Sequence, residues 1–103
     1  MAVAMDKYNY TLFYQRMFGT SSMFTIKQYR DVNGHSNRYW GWGGEDDDIY
    51  TRTYLAGYRV ERYNNTIARY TMIRHGKDVE NPVNPCRFSL LNHTKADWKL
   101  DGL

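Results

Sequence analysis

The sequence predicts an α/β fold of about three strands and three short helices. Three segments carry helix-starting or helix-ending residues, two others are rich in β-branched and aromatic residues, and a short apolar run lies near the N-terminus. At 103 residues the chain forms one domain at most. No internal repeat or linker divides it, so we expect residues 1–103 to form a single unit.

The first helix is predicted at residues 25–34, where Thr25 and Gln28 have the spacing of a capping box and Gly34 ends the segment. Its apolar residues fall near one face: Ile26, Tyr29 and Val32. The second helix is expected to begin inside the acidic run, residues 45–48, and to end at Gly57.

A third short helix is predicted at residues 86–93, with Phe88 and Leu91 facing inward. Residues 80–85 contain two prolines and are expected to form a loop. Strands are predicted at residues 2–5, 58–63 and 67–75.

Composition excludes some classes of function. The net charge is +3 with the basic residues scattered, which disfavours a nucleic-acid surface. No apolar run approaches the roughly 20 residues of a membrane span, and we expect no signal peptide before the first strand. Cys86 is the one cysteine, so no disulfide forms within the chain. Three sequons, at Asn9, Asn64 and Asn92, are compatible with a secretory lumen.

The stretch WGWGGEDDD, residues 40–48, has two interpretations. Carboxylates at a helix N-terminus interact favourably with the helix dipole, by about 0.3–1 kcal/mol each. This explains where the acidic residues lie but not why there are four, since neighbouring carboxylates repel each other. In the other interpretation, Trp40 and Trp42 stack on a sugar ring while carboxylates bind its hydroxyls, and one carboxylate serves as a general base.

Met72 and His75 form a second candidate site. Imidazole is a common ligand of divalent transition metals, and a thioether is a soft, weak one. Residues three apart on a regular strand point to opposite faces, so both bind one ion only if the strand bends. From the residues alone, a buried methionine and a surface histidine are the favoured interpretation.

The chain contains, in order, the stretches VAMDKYNY, FG at Phe18, NGHSNRYWGWGGEDDDIYTR, LAGY, IARYTMIRH, NPVNPCRF, HTK and DGL. In this ordered series of motifs it resembles the C-terminal part of the β-1,4-galactosyltransferase family. The resemblance implies the C-terminal half of a GT-A type α/β fold, without the N-terminal nucleotide-binding half. It also implies inverting transfer of galactose from a UDP-sugar donor to the 4-hydroxyl of an acceptor ending in N-acetylglucosamine.

The resemblance also implies roles for individual residues. Asp46 corresponds to the catalytic base that deprotonates the acceptor. The other acceptor-binding positions are Tyr14, Gly44, Asp47, Arg87 and Phe88. The donor-binding positions are Met17, Trp42 and Glu45, with Trp42 on a loop that closes on the donor.

Met72 and His75 match the family's metal-binding pair, so the resemblance implies a Mn²⁺ cofactor. The metal would act as a Lewis acid on the UDP leaving group. The family's Asp-x-Asp motif would lie upstream, so the metal site is expected to be incomplete in this chain. The implied location is the Golgi lumen, as part of a type II membrane protein whose anchor is absent here.

Two further expectations concern specificity and activity. Met17 stands where vertebrate members commonly carry a tyrosine, and a flexible methionine leaves room for an N-acetyl group on the donor. We therefore expect relaxed donor use, or a preference for UDP-N-acetylgalactosamine. We expect the chain to be a fragment of a longer protein and inactive alone; the alternative is a non-catalytic sugar-binding or interaction module derived from the family.

Overall fold

The computed structural model describes residues 4–5, 18–19, 21–62, 66–67, 69–71, 73, 76 and 80–103. Its elements in chain order are β1 (Ala4–Met5), α1 (Ile26–Asp31), α2 (Glu45–Leu55), β2 (Arg69–Tyr70) and α3 (Arg87–Asp97). The two strands run parallel, with Ala4 opposite Arg69 and Met5 opposite Tyr70. Within these ranges, no helix has the length and apolar character needed to cross a membrane.

The capping box of α1 is confirmed. The Gln28 N–H donates to Thr25 Oγ1 at 3.1 Å, and the Thr25 N–H donates to Gln28 Oε1 at 2.8 Å. The helix ends at Asp31, before the predicted Gly34, because Asn33 and Gly34 both have left-handed backbones, with φ of 60° and 62°. Ile26 is 75% exposed, so the predicted apolar face does not include it.

The predicted bounds of α2 are confirmed to within two residues. The helix begins at Glu45 and ends at Leu55, and Gly57 follows with a φ of 91°. Gly44 occupies the N-cap position and offers no side-chain hydrogen bond. All four carboxylates of the acidic run therefore lie in the first turn, where the free N–H groups and the helix dipole favour negative charge.

The third predicted helix is confirmed as α3, although it extends beyond His93 to Asp97. The inward orientation predicted for Phe88 is wrong, because its side chain is 64% exposed. Thr94 faces inward instead, with 4% of its surface exposed. A hydrogen bond from its hydroxyl to Asp48 on α2 sets the rotation of α3.

The strand predicted at residues 58–63 is wrong for residues 58–62, which form no regular secondary structure. Tyr58 and Val60 pack against the core, and the Tyr58 hydroxyl donates to Asp31 Oδ2 at 2.5 Å. Tertiary packing at these positions replaces strand pairing. Within residues 67–75, strand structure is confined to Arg69–Tyr70 among those described, so a GT-A sheet stays a prediction.

The core in the described part of the chain centres on Phe18, Val32 and Ile49. The ring of Phe18 lies 5.7 Å from that of Phe24 and 6.1 Å from that of Tyr50, both measured between centroids. α2 also contacts α3. These contacts fix the orientation of α2 and therefore the direction in which its acidic N-terminus points.

Candidate active site

The loop before α2 depends on glycines. Gly43 and Gly44 have φ of 112° and 95°, a left-handed region that side chains strongly disfavour. A Cβ on Gly43 would lie 2.6 Å from Arg87 Cδ, and one on Gly44 would lie 2.8 Å from Tyr39 Cε1. Both positions therefore need glycine for backbone conformation and for close packing.

The backbone of Trp42 is attached to the loop at residues 80–85. Its N–H donates to the Pro82 carbonyl at 2.9 Å, and the Asn84 N–H donates to the Trp42 carbonyl at 2.9 Å. The Trp42 side chain nevertheless stays 59% exposed, and that of Trp40 is 53% exposed. The two rings thus present apolar surface beside the acidic helix terminus.

Asn84 organises this junction and was missed by the sequence analysis. Its side chain is fully buried, and its Oδ1 accepts the Cys86 N–H at 2.9 Å. This bond to a residue two positions later is the usual turn-forming contact of asparagine, so a local signal existed. Among the described residues, no acceptor lies within reach of its Nδ2.

Arg87 covers the glycine loop from α3. Its guanidinium donates to the Asn84 carbonyl at 3.1 Å and lies 4.5 Å from the centroid of the Phe88 ring. Its aliphatic stem packs on Gly43 and Gly44. The structure therefore brings together three predicted acceptor positions: Gly44, Arg87 and Phe88.

The first three carboxylates of α2 differ in burial. Glu45 is exposed, whereas Asp46 and Asp47 are half-buried. Asp46 Oδ1 accepts the Asp47 N–H at 2.8 Å, and a Cβ on Gly19 would overlap Asp46 Oδ2. The Asp46 carboxylate is thus fixed by a backbone donor on one oxygen and by close packing on the other, as a positioned proton acceptor requires.

Asp48, the fourth carboxylate, has a structural role. It is 3% exposed and accepts hydrogen bonds from Arg52 Nε at 2.8 Å, the Thr94 hydroxyl at 2.6 Å and the Tyr39 hydroxyl at 3.2 Å. Burial, followed by the negative charge of Asp48, raises the pKa of Tyr39 well above its usual value. Asp48 therefore connects α2 to α3 and to the preceding loop, and does not face a ligand.

Arg52 extends this buried network to the C-terminal segment. Its side chain is 1% exposed, and its guanidinium donates to Asp101 and to the carbonyls of Asn33 and Gly34, each at 3.2 Å. The four-residue spacing from Asp48 to Arg52 is a helical ion-pair signal that the sequence analysis did not use. No local pattern links Arg52 to Asp101, which lies 49 positions away.

Asp101 is itself held by several donors. Burial alone would raise the pKa of Asp101. Opposing effects outweigh it, chiefly hydrogen bonds from the Ser36 hydroxyl and the Asn37 N–H and the positive charge of Arg52, so the pKa lies below its usual value. The Asn37 N–H lies 3.0 Å from Asp101 Oδ1. Asp101 is therefore ionised in the folded protein and fixes the loop that precedes the tryptophans.

Four predicted site residues lie outside the described part of the chain: Tyr14, Met17, Met72 and His75. The described residues contain no cluster of three or more histidines, cysteines, aspartates or glutamates that could hold a metal ion. A surface groove of about 590 Å³ lies at the C-terminal end of α2, lined by Thr53, Gly57 and Tyr58 among others. Of the predicted site residues that the structure describes, none lines this groove.

Comparison with known proteins identifies the family. Residues 1–76 match the family described as the N-terminal domain of galactosyltransferase. The chain is 48% identical over 103 residues to β-1,4-galactosyltransferase 3 of Homo sapiens and 47% identical over 103 residues to β-1,4-galactosyltransferase 1 of Bos taurus. It is 46% identical over 102 residues to β-1,4-galactosyltransferase 2 of Cricetulus griseus.

These alignments cover 99–100% of this chain but only 26–28% of each relative, so the chain spans about a quarter of their length. The ordered motifs predicted the same relationship from the residues alone. The chain belongs to the β-1,4-galactosyltransferase family of glycosyltransferases.

Proposed function

We propose that the protein transfers galactose or N-acetylgalactosamine from a UDP-sugar to the 4-hydroxyl of a terminal N-acetylglucosamine, with inversion. The geometry of Asp46 carries this proposal. Its carboxylate is half-buried, held by a helix N–H at 2.8 Å, and lies in the same turn as Asp47. The names of the relatives support galactosyl transfer.

In this proposal Asp46 removes the proton from the attacking 4-hydroxyl. Gly44 and Asp47 bind the acceptor sugar, while Arg87 and Phe88 bind its N-acetyl group. The exposed ring of Trp42 offers an apolar face to a donor sugar, because it is 59% exposed beside the acidic turn. Tyr14, Met17 and Glu45 complete the acceptor and donor sites.

Manganese is the proposed cofactor, with Met72 and His75 as its ligands from this chain. Imidazole suits many divalent metals, but Mn²⁺ prefers oxygen ligands, so a thioether and one imidazole are an incomplete set. We propose that carboxylates outside these 103 residues complete it, as part of a GT-A fold. When bound, the metal would offset the charge that develops on the departing diphosphate.

The proposed location is the Golgi lumen. We further propose that the 103 residues are inactive without the rest of the protein, because the relatives are about four times longer. Detectable sugar transfer by the isolated 103-residue chain would contradict this last point.

The linkage of the product tests the proposed reaction. The full-length protein is incubated with UDP-galactose, Mn²⁺ and either N-acetylglucosamine or its 4-deoxy analogue. We expect a β-1,4-linked disaccharide, identified by NMR, from the first acceptor and no product from the second. Transfer to the 4-deoxy analogue would contradict the assigned hydroxyl, and absence of transfer to any acceptor sugar would favour a non-catalytic sugar-binding module.

A further inference from the structure

The sequon Asn92-His93-Thr94 lies on α3 and has no role in the proposed reaction. The side chain of Asn92 is exposed, as is that of Ser89 on the outward side of the helix. Within the described ranges, the Asn92 side-chain amide makes no hydrogen bond. Asn92 therefore has the free, solvent-facing amide that an attached sugar needs.

Thr94 has the opposite environment. Its side chain is 4% exposed, and its hydroxyl donates to Asp48 Oδ1 at 2.6 Å. Two residues on an α-helix are separated by about 200° around its axis, since each turn contains 3.6 residues. In folded α3 the amide of Asn92 and the hydroxyl of Thr94 consequently point in opposite directions.

We propose that Asn92 is N-glycosylated and that the sugar is attached before α3 forms. A sequon is read through its asparagine amide and its hydroxyl together, and only a non-helical chain presents both to one enzyme. The folded helix buries the hydroxyl against Asp48. Modification therefore precedes the packing of α3 on α2.

The donor required is an oligosaccharide linked through a diphosphate to a lipid. Asn92 Nδ2 attacks the anomeric carbon and forms a new N–C bond. The bond between that carbon and the diphosphate oxygen breaks, and the lipid diphosphate leaves with the electron pair. One proton is released from the amide nitrogen, so the step needs no oxidant or reductant.

The finished glycan fits the folded structure. It would project from the exposed side of α3, whereas the contact with α2 is made by Thr94 on the other side. N-linked glycans are bulky and solubilising, and they are accommodated at exposed positions. The inference goes beyond the proposed sugar transfer and requires only passage through the secretory lumen.

Peptide mapping tests the site. The full-length protein is expressed in cultured animal cells behind a cleavable secretory signal, so that the test does not depend on its natural location. Trypsin releases residues 88–95, which contain Asn92 but neither Asn9 nor Asn64. Peptide-N-glycosidase converts a glycosylated asparagine to aspartate, and mass spectrometry detects this conversion.

We expect conversion at Asn92 in the native protein and in Thr94→Ser, which keeps both the sequon and a hydroxyl donor for Asp48. We expect the mass shift to be lost in Thr94→Ala, which removes the sequon. Cleavage of the secretory signal shows that the protein has entered the lumen. If the signal is cleaved but Asn92 is not converted to aspartate in the native protein, the proposed site is refuted. A native protein that is glycosylated at Asn92 but transfers no sugar would contradict the proposed function and leave the proposed glycosylation site standing.

A second measurement tests the order of events. Unglycosylated folded protein from bacteria and its tryptic peptide of residues 88–95 are each incubated with an oligosaccharyltransferase and a lipid-linked oligosaccharide. We expect the peptide to be modified at Asn92 and the folded protein to show no modification there. Equal modification of both would refute attachment before folding.

Discussion

Replacing Arg52 with lysine tests the buried network that orients α2. Arg52 is 1% exposed, and its guanidinium reaches two carboxylates and two carbonyls, through contacts to Asp48, Asp101, Asn33 and Gly34. Lysine keeps the positive charge but offers one compact ammonium group in place of a planar fork. The substitution therefore changes hydrogen-bond geometry without changing net charge.

The expected loss follows from the contacts. The ammonium group of lysine cannot span from Asp48 Oδ2 to Asp101 Oδ2 and the Asn33 carbonyl at once, so we count at least two lost bonds. A hydrogen bond to a charged group contributes about 1.5–3 kcal/mol, so Arg52→Lys should lower the free energy of unfolding by at least about 3 kcal/mol. Breaking a buried ion pair outright costs about 3–5 kcal/mol, which agrees with this figure.

Urea unfolding of the full-length protein measures the loss as a shift of the midpoint at constant slope. Arg38→Lys is the matched control, because Arg38 is 47% exposed and pairs with Asp97 at 2.8 Å, whereas its distance to Asp101 is a longer 3.8 Å. An exposed pair of this kind contributes about 0–1 kcal/mol. Equal losses below about 1 kcal/mol for both variants would refute the structural role of Arg52.

Three further predictions address the site and its support. Gly19→Ala should lower sugar transfer by roughly 10²-fold with little loss of stability, because the new methyl group displaces Asp46 Oδ2; an unchanged rate in a kinetic assay of the full-length protein would contradict this. Ser36→Ala should lower stability at neutral pH, since the Ser36 hydroxyl helps to depress the pKa of Asp101. Because the pKa of Asp101 is lower in the folded protein than the value of about 3.9 in the unfolded chain, its contribution to stability is fully present above about pH 3.9 and is lost as pH falls through the folded pKa. The urea midpoints of the native protein and of Ser36→Ala should therefore converge in acid, and a difference that stays constant with pH would contradict this. Met17→Tyr should reduce the ratio of N-acetylgalactosamine to galactose transfer, measured with the two UDP-sugars, and an unchanged ratio would exclude Met17 as a donor-selecting residue.

Local sequence signals predicted the helices well. The Thr25 and Gln28 capping box, and the acidic turn that begins α2, are fixed by neighbours within a few residues. Residues 58–62 were predicted as a strand because of their composition, but Tyr58 and Val60 pack on the core instead. Strand propensity depends on a pairing partner, which the sequence does not specify.

The candidate site was predictable only in part. The resemblance indicated Asp46 and Arg87, but the local spacing from Asp48 to Arg52 does not by itself distinguish a buried, structural Asp48 from its acidic neighbours. That distinction depends on Thr94, which lies 46 positions later. The fully buried Asn84 was missed although its bond to the Cys86 N–H is a local turn signal; its other contact, with Trp42, joins two loops that are distant in the chain.

The base assignment is tested most directly by Asp46→Asn in the full-length protein. Asparagine preserves the size of the side chain but cannot accept the proton, so we expect kcat to fall by about 10²–10⁴-fold while acceptor binding, measured by calorimetry, is largely retained. Asp31→Asn is the control, because Asp31 pairs with Lys27 at 2.6 Å on the surface and should not alter kcat. Unchanged kcat in Asp46→Asn would contradict the account.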